Sequence, residues 1–213
     1  MHLTKEDIFK IDRIKRLNLI NSVSGIKSAN LIGTQSSDGY SNLAVFSSVV
    51  HLGSNPAYLG FVLRPDSNVR RHSYENIESS GYYTINCIHN DFIENAHYTS
   101  AKFKAKESEF EKCNIEKEFL DDFFAPYVKA SRLKMGMKLQ EVLDIKVNSC
   151  KLLIGSIEHL YLDSSVMEDN GQLNLEKLAL VGIGGLNRYY GLNEIGQFPY
   201  ARVTELPNFK KVD

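Results

Sequence analysis

Apolar residues along most of this chain recur every second position in short runs, and the runs are bounded by Gly, Pro, Asn, Asp and Ser. That is the pattern of β-strands rather than of long helices. The exception lies at the start, where Thr4 can cap a helix with Glu6 and Asp7 in its first turn, and Ile8, Ile11 and Ile14 recur on one helical face. This predicts an entry helix packed on a barrel. A strand follows over Ser28 to Thr34, and Asp38-Gly39 then separates it from a second apolar run, the signature of a tight hairpin. Further strands are predicted over Ala57 to Leu63 and Tyr82 to Ile88.

The second strand, Ser41 to Val50, departs from the usual alternation. Ser41, Leu43, Val45, Ser47 and Val49 fall on one face and Asn42, Ala44, Phe46, Ser48 and Val50 on the other, so both faces mix apolar and polar groups. Buried hydroxyls of this kind are satisfied either by neighbouring backbone or by a ligand, and the sequence leaves both open. A bend in the strand would let Ser47 and Ser48 face one site. The next strand ends at Arg64-Pro65, because proline cannot continue a ladder and holds the residue before it extended. Asp66 or Ser67 can then cap a helix running to about Ser80, with Gly81 as its stop. Arg64, Arg70 and Arg71 thereby gather near a helix start, where unpaired N–H groups and the dipole favour phosphate.

Other candidate chemistry is weaker. Asp91 is expected to cap a short helix through His97, which puts Glu94 and His97 in a Glu-x-x-His pair. Di-iron sites need two such pairs on long helices, so no metal is expected. Residues 102–137 are charged and irregular and predict an excursion with short helical pieces. Strands resume at Lys138, with a long hairpin turning at Asn148 to Lys151, and Glu168 to Gly171 is a further turn. Gly182-x-Gly184-Gly185 lacks the following helix of a dinucleotide loop and is read as turn geometry, with Tyr189 and Tyr190 as candidates for a stacking edge near the pocket.

Composition narrows the class. The chain has 213 residues, 43% of them hydrophobic and 24% charged, which suits one globular domain over 1–213 with a sizeable core. A formal net charge of -1 argues against a nucleic-acid or acidic-membrane partner. The first residues lack a signal-peptide core and no apolar run reaches bilayer length, so the expected location is the cytoplasm. Cys87, Cys113 and Cys150 are too far apart for a metal or disulfide framework and are expected as buried thiols.

The chain resembles the flavin reductase-like family with the FMN-binding split barrel, from about Asn18 to Tyr200. The resemblance is carried by Ser41-Asn42-Leu43-Ala44 with Phe46-Ser47-Ser48, Asn55-Pro56 leading to Gly60-Phe61, Arg64-Pro65 with Arg71-His72, Glu75-Asn76-Ile77 and Thr84-Ile85-Asn86. Thr99-Ser100-Ala101-Lys102, Ser108-Glu109-Phe110-Glu111, and Gly185 with Tyr189-Tyr190 continue it. It implies a mainly β, antiparallel split barrel with flanking helices, a homodimer, and FMN near the subunit interface. Carried over, Asn42, Leu43, Ala44, Ser47 and Ser48 are expected to line the ring and ribityl chain, Phe46 and Phe61 are candidate stacking partners, and Ser41 and Asn86 are counted among the cofactor-binding residues. Arg64, Arg70, Arg71, His72 and Ser100 are expected at the phosphate.

The function this implies is an FMN-dependent oxidoreductase, a flavin reductase passing hydride from NADH or NADPH to flavin, with a downstream flavin-using monooxygenase as a partner. No acid–base side chain is called for, because the cofactor carries the redox chemistry. Two other readings remain at this point: an FMN protein for electron transfer or flavin storage without nicotinamide turnover, and a regulatory barrel for another phosphorylated ligand.

Overall fold

The computed structural model describes residues 1–65, 71–104 and 106–212. Thr4 does cap a helix, through a capping box with Asp7, but that helix (α1, Lys5–Lys10) stops early. Asp12 accepts from the N–H groups of Ile14 and Lys15 and starts a second one (α2, Arg13–Ser22). Neither helix buries a residue, so the predicted packing of an entry helix on a barrel is not found within one chain.

The first predicted strand is divided. Ile26–Ser28 (β1) and Asn30–Gln35 (β2) join different sheets. The Asp38-Gly39 turn forms with Gly39 at φ 84, a left-handed conformation that costs glycine nothing, and it joins β2 to β3 (Ser41–Phe46) in antiparallel register. Beyond Phe46 the chain bends through Ser47 to Val49, and β4 (Val50–Ser54) then pairs with β5 (Ala57–Leu63). The predicted helix is seen as α3 (His72–Ser80), ended by Gly81 in a left-handed conformation with φ 76. Its predicted caps, Asp66 and Ser67, and Arg70 lie outside the described residues.

After β6 (Tyr82–Cys87) the short helix α4 spans Ile93–Tyr98. Asp91 is not its cap: a 3-10 turn intervenes, and Asp91 instead pairs with Arg132 at 2.7 Å. The excursion carries α5 (Glu109–Lys112) and the small strands β7 (Lys117–Glu118) and β8 (Tyr127–Val128). It ends sooner than expected, because β9 runs from Leu133 to Ile145 and its first five residues are buried. The long hairpin with β10 (Cys150–Leu162) is found, and so is the turn closing at Gly171. Val181–Gly184 (β11) and Arg188–Gly191 (β12) form the hairpin that the glycine-rich tail predicted by turn geometry.

Seven strands pair in the order β3-β2-β6-β9-β10-β5-β4, while β1-β11-β12 form a separate sheet. The two edge strands of the large sheet, β3 and β4, are consecutive in the chain, so the bend between them closes the sheet into a split barrel. Ser48, in the bend, is tied to β5: its hydroxyl donates to the Val62 carbonyl and accepts from the Val62 N–H, both at 3.1 Å. Inside, Ile32, Phe61, Tyr83, Ile85, Met137 and Leu153 form the barrel core. Leu31, Leu43, Ile88, Phe110 and Val181 form a second core outside the wall, under α4, α5 and β11. Between these two cores β2 is buried on both faces over its first five residues.

Candidate functional site

The bend after β3 assembles the site. By period two, Asn42, Ala44 and Phe46 face the barrel side while Leu43 and Val45 face the outer core. Asn42 donates from its amide to the Ser73 hydroxyl at 2.9 Å, tying the start of β3 to the first turn of α3. Asn76, one turn later, donates to Thr34 at 3.0 Å. Arg71 immediately precedes α3 and donates from Nη2 to the Pro65 carbonyl at 3.3 Å, which draws the helix start to the end of β5. Ser48 binds Val62 on the same strand. One set of contacts therefore links Asn42, Ser73, Arg71, the Arg64-Pro65 corner and Ser48.

Within that set the basic groups are under-satisfied. The Arg71 Nε is buried and has no hydrogen-bond partner among the described residues. Arg71 itself is half-buried, as is His72, and Arg64 is exposed. Among the described residues neither arginine has an ion-pair partner. Helix α3 has no side-chain N-cap bond, so its first-turn N–H groups keep their capacity. A buried guanidinium nitrogen without an acceptor is costly, and a dianionic phosphate provides several acceptors with the right charge. These residues fit a phosphate-bearing cofactor. Ala44, Phe46, Ser47 and Ser48, all half-buried, border the same bend and supply an apolar wall with hydroxyls beside it.

Three of the residues expected at the cofactor lie inside the protein. Leu43, Phe61 and Asn86 have no exposed surface. Phe61 packs edge-on between Phe46 and Tyr83, supporting the wall from behind. Asn86 is fully engaged: its amide donates to the Leu31 carbonyl and to Thr84, and its oxygen accepts from the Val128 N–H at 2.9 Å. Thr84 in turn donates to the Pro126 carbonyl at 2.7 Å. This network pins the excursion to the barrel. Ser41 is buried and its hydroxyl accepts from Lys117 at 3.2 Å. Ser100 is exposed at the end of α4, which packs on the outer-core side of β3, and among the described residues no contact brings it to Arg64 or Arg71. The proposed phosphate ligands therefore divide between two sides of one strand.

One residue at this strand was missed by the sequence reading. Glu109 at the start of α5 is buried, and its carboxylate accepts from the Leu43 N–H at 2.9 Å, capping the open edge of β3. Burial pushes its carboxyl above the usual carboxylate range, opposed by the Leu43 hydrogen bond. Its signal was its place in Ser108-Glu109-Phe110-Glu111, a segment of the family resemblance with no role attached. Burial also pushes the Cys87 thiol up to about 12, which makes it a poor nucleophile. His97 lies 3.3 Å from the Tyr189 hydroxyl and Glu94 is exposed, and the described residues contain no group of metal-ligating side chains.

A cavity of about 780 Å³ lies elsewhere, lined by Glu118, Arg132, Lys134, Tyr161 and Lys177 among others. Lys134 there pairs with Glu118, and Arg132 with Asp91. Its cations are largely neutralised by their own neighbours, and none of the sequence-derived site residues lines it.

With this geometry in place, the chain can be set beside known proteins. The profile of the flavin reductase like domain matches residues 25–178. A split barrel domain protein from Shewanella frigidimarina NCIMB 400, provisionally designated a flavin reductase, is 43% identical, with a TM-score of 0.91 over 94% of this chain and 100% of that one. Nitrilotriacetate monooxygenase component B from Bacillus cereus is 17% identical, with a TM-score of 0.81 over 93% and 98% of the two chains. Flavoredoxin of Desulfovibrio vulgaris (Miyazaki F) is 20% identical, with a TM-score of 0.69 over 85% and 93%. These last two share the fold. No curated protein sequence matches the chain.

Proposed function

Because the chain belongs to the flavin reductase like domain family, whose profile covers residues 25–178, we propose that it binds FMN and acts as an NADH- or NADPH-dependent flavin reductase. The observation that carries this reading is the Arg71 Nε, buried without an acceptor beside an uncapped helix start. That nitrogen, with Arg64 and His72, would hold the phosphate, as Arg70 would in the sequence-based expectation. Ala44, Phe46 and Ser47 would border the ring and polyol, with Asn42 held in place by Ser73.

The flavin, when bound, supplies the hydride chemistry at its N5 position. The side chains have other tasks. The arginines would neutralise the phosphate and fix its position, and the bend that Ser48 ties to β5 would set the wall against which the ring is oriented. Phe46, backed by Phe61, excludes water from that wall. Glu109 keeps the β3 edge from fraying and thereby holds the wall at a constant register. No side chain in this reading moves a proton in the hydride step.

The Bacillus cereus neighbour is named as one component of a monooxygenase, which supports a flavin-using monooxygenase as the recipient of reduced flavin here. No described helix is long and apolar enough to cross a membrane, and we place the protein in the cytoplasm. The decisive experiment combines mass spectrometry of the ligand released from heated protein with NADH and NADPH oxidation in the presence of added FMN. FMN in the supernatant and nicotinamide turnover are expected. Protein that neither retains nor reduces FMN defeats the reading, and bound FMN reducible by dithionite alone replaces it with electron transfer or storage.

A further inference from the structure

The two ends of the described chain are unlike everything between them. From 1 to 28 and from 192 to 212 no residue is buried. The second segment is nevertheless rich in large apolar side chains: Ile195 is 96% exposed, Phe198 87%, Tyr200 86% and Phe209 77%. It contains one short 3-10 turn, Val203–Glu205, and little else that is regular. Its anchors to the rest of the chain are polar and sit at its beginning, where the Glu194 N–H donates to Glu176 at 2.6 Å and the Gln197 amide donates to Gln172 at 3.0 Å.

On the first segment, α2 presents Ile14, Leu17 and Ile20 at 51%, 42% and 47% exposure. Thus two apolar surfaces stand open on one chain, and neither covers the other. We propose that residues 192–212 form an arm that lies on a second copy of the same chain and covers the apolar face of its N-terminal helices. A two-fold pair requires that each chain carry both the arm and the surface that receives it, because the same patch is used twice.

The area agrees with that occupant. With Phe and Tyr side chains at about 150–250 Å² each, the arm's aromatic and aliphatic groups expose on the order of 1,000 Å². A stable interface buries about 800 Å² per partner, so the arm alone is enough for a specific pair. Its residues are too apolar for a solvated tail, whose composition would be polar and highly charged. The proposal shares with the functional reading only its expectation of a homodimer, and flavin binding is measured separately.

The test uses the full chain. Light scattering across a dilution series should show two copies for the wild type. The variant carrying Phe198→Ser, Tyr200→Ser and Phe209→Ser should dissociate at concentrations at least about tenfold higher, since a few buried aromatics carry most interface energy. Leu17→Glu with Ile20→Glu, on the receiving face, should act in the same direction. Both variants should keep the wild-type circular dichroism, because none of these side chains is buried within one chain. A wild type that scatters as a single copy, or arm variants that pair as tightly as wild type, would overturn the proposal. So would hydrogen-exchange protection of 192–212 that persists when the protein is diluted to single copies, since the arm would then rest on its own chain. Flavin titration of the same samples separates the outcomes: lost pairing with no flavin binding in any sample defeats the functional reading and leaves the arm intact.

Discussion

Asn86 and Arg71 are both polar side chains drawn into an apolar environment, yet they sit at opposite ends of a scale. Every hydrogen-bonding group that Asn86 offers to the barrel is matched by Leu31, Thr84 or Val128, whereas Arg71 has a buried nitrogen with no partner among the described residues. A polar group inside an apolar run is therefore not in itself a sign of a ligand. What distinguishes a site from a structural network is capacity left over after the protein has satisfied its own backbone.

The largest effect expected from breaking this contrast is at Asn86. Asn86→Ala should destabilise the protein by about 4 kcal/mol, because it orphans the buried Val128 N–H and opens a cavity in the barrel wall. Chemical denaturation measures this, and whatever protein remains folded should bind flavin as before. The Arg64→Ala, Arg71→Ala double variant should do the reverse. It should weaken FMN binding by about 1.5–3 kcal/mol, the usual strength of a charge-assisted contact, with little change in stability. Unchanged affinity in a fluorescence titration would place the phosphate elsewhere, with the Ser100 side of β3 as the next place to look.

Glu109 sharpens the comparison, because it is buried and satisfied but carries a charge. Its carboxyl is raised in the folded state, so over the window just above its ordinary value the native protein holds more protons than the unfolded one. Stability from this group is therefore present at low pH and falls as pH rises through that window. Glu109→Gln should keep the Leu43 hydrogen bond and flatten this dependence, while Glu109→Ala should cost about 1–3 kcal/mol by leaving the Leu43 N–H unsatisfied. Urea denaturation at several pH values distinguishes them. The smallest effect is expected at Ser48, where Ser48→Ala removes two half-buried hydrogen bonds between the bend and β5 and should cost about 1 kcal/mol. If it also halves flavin affinity or worse, the hydroxyl's remaining lone pair serves the cofactor as well as the bend.

Much of the fold was legible beforehand because its signals are local. The Asp38-Gly39 turn, the β5 span, the Gly81 stop and the turn within 181–191 each follow from a conformational preference of a few residues. Failures came where a distant neighbour decides. Strand two ends at Phe46 because the barrel must close between β3 and β4, a demand of sheet topology. The start of β9 at Leu133 was hidden by Lys134 inside the strand's buried stretch, whose charge is met by Glu118 from another strand.

The site divides in the same way. Residue type and order alone determined that hydroxyls, amides and guanidinium groups cluster around one strand and the corner after β5, because those identities and their spacing along the chain are local facts. Only the tertiary structure decided which of them keep bonding capacity. Leu43, Phe61 and Asn86 were withdrawn into the core by partners tens of residues away, and pairing across such separations has no signature in any short stretch of sequence, while the buried donor left on Arg71 depends on how the corner after β5 folds back on α3.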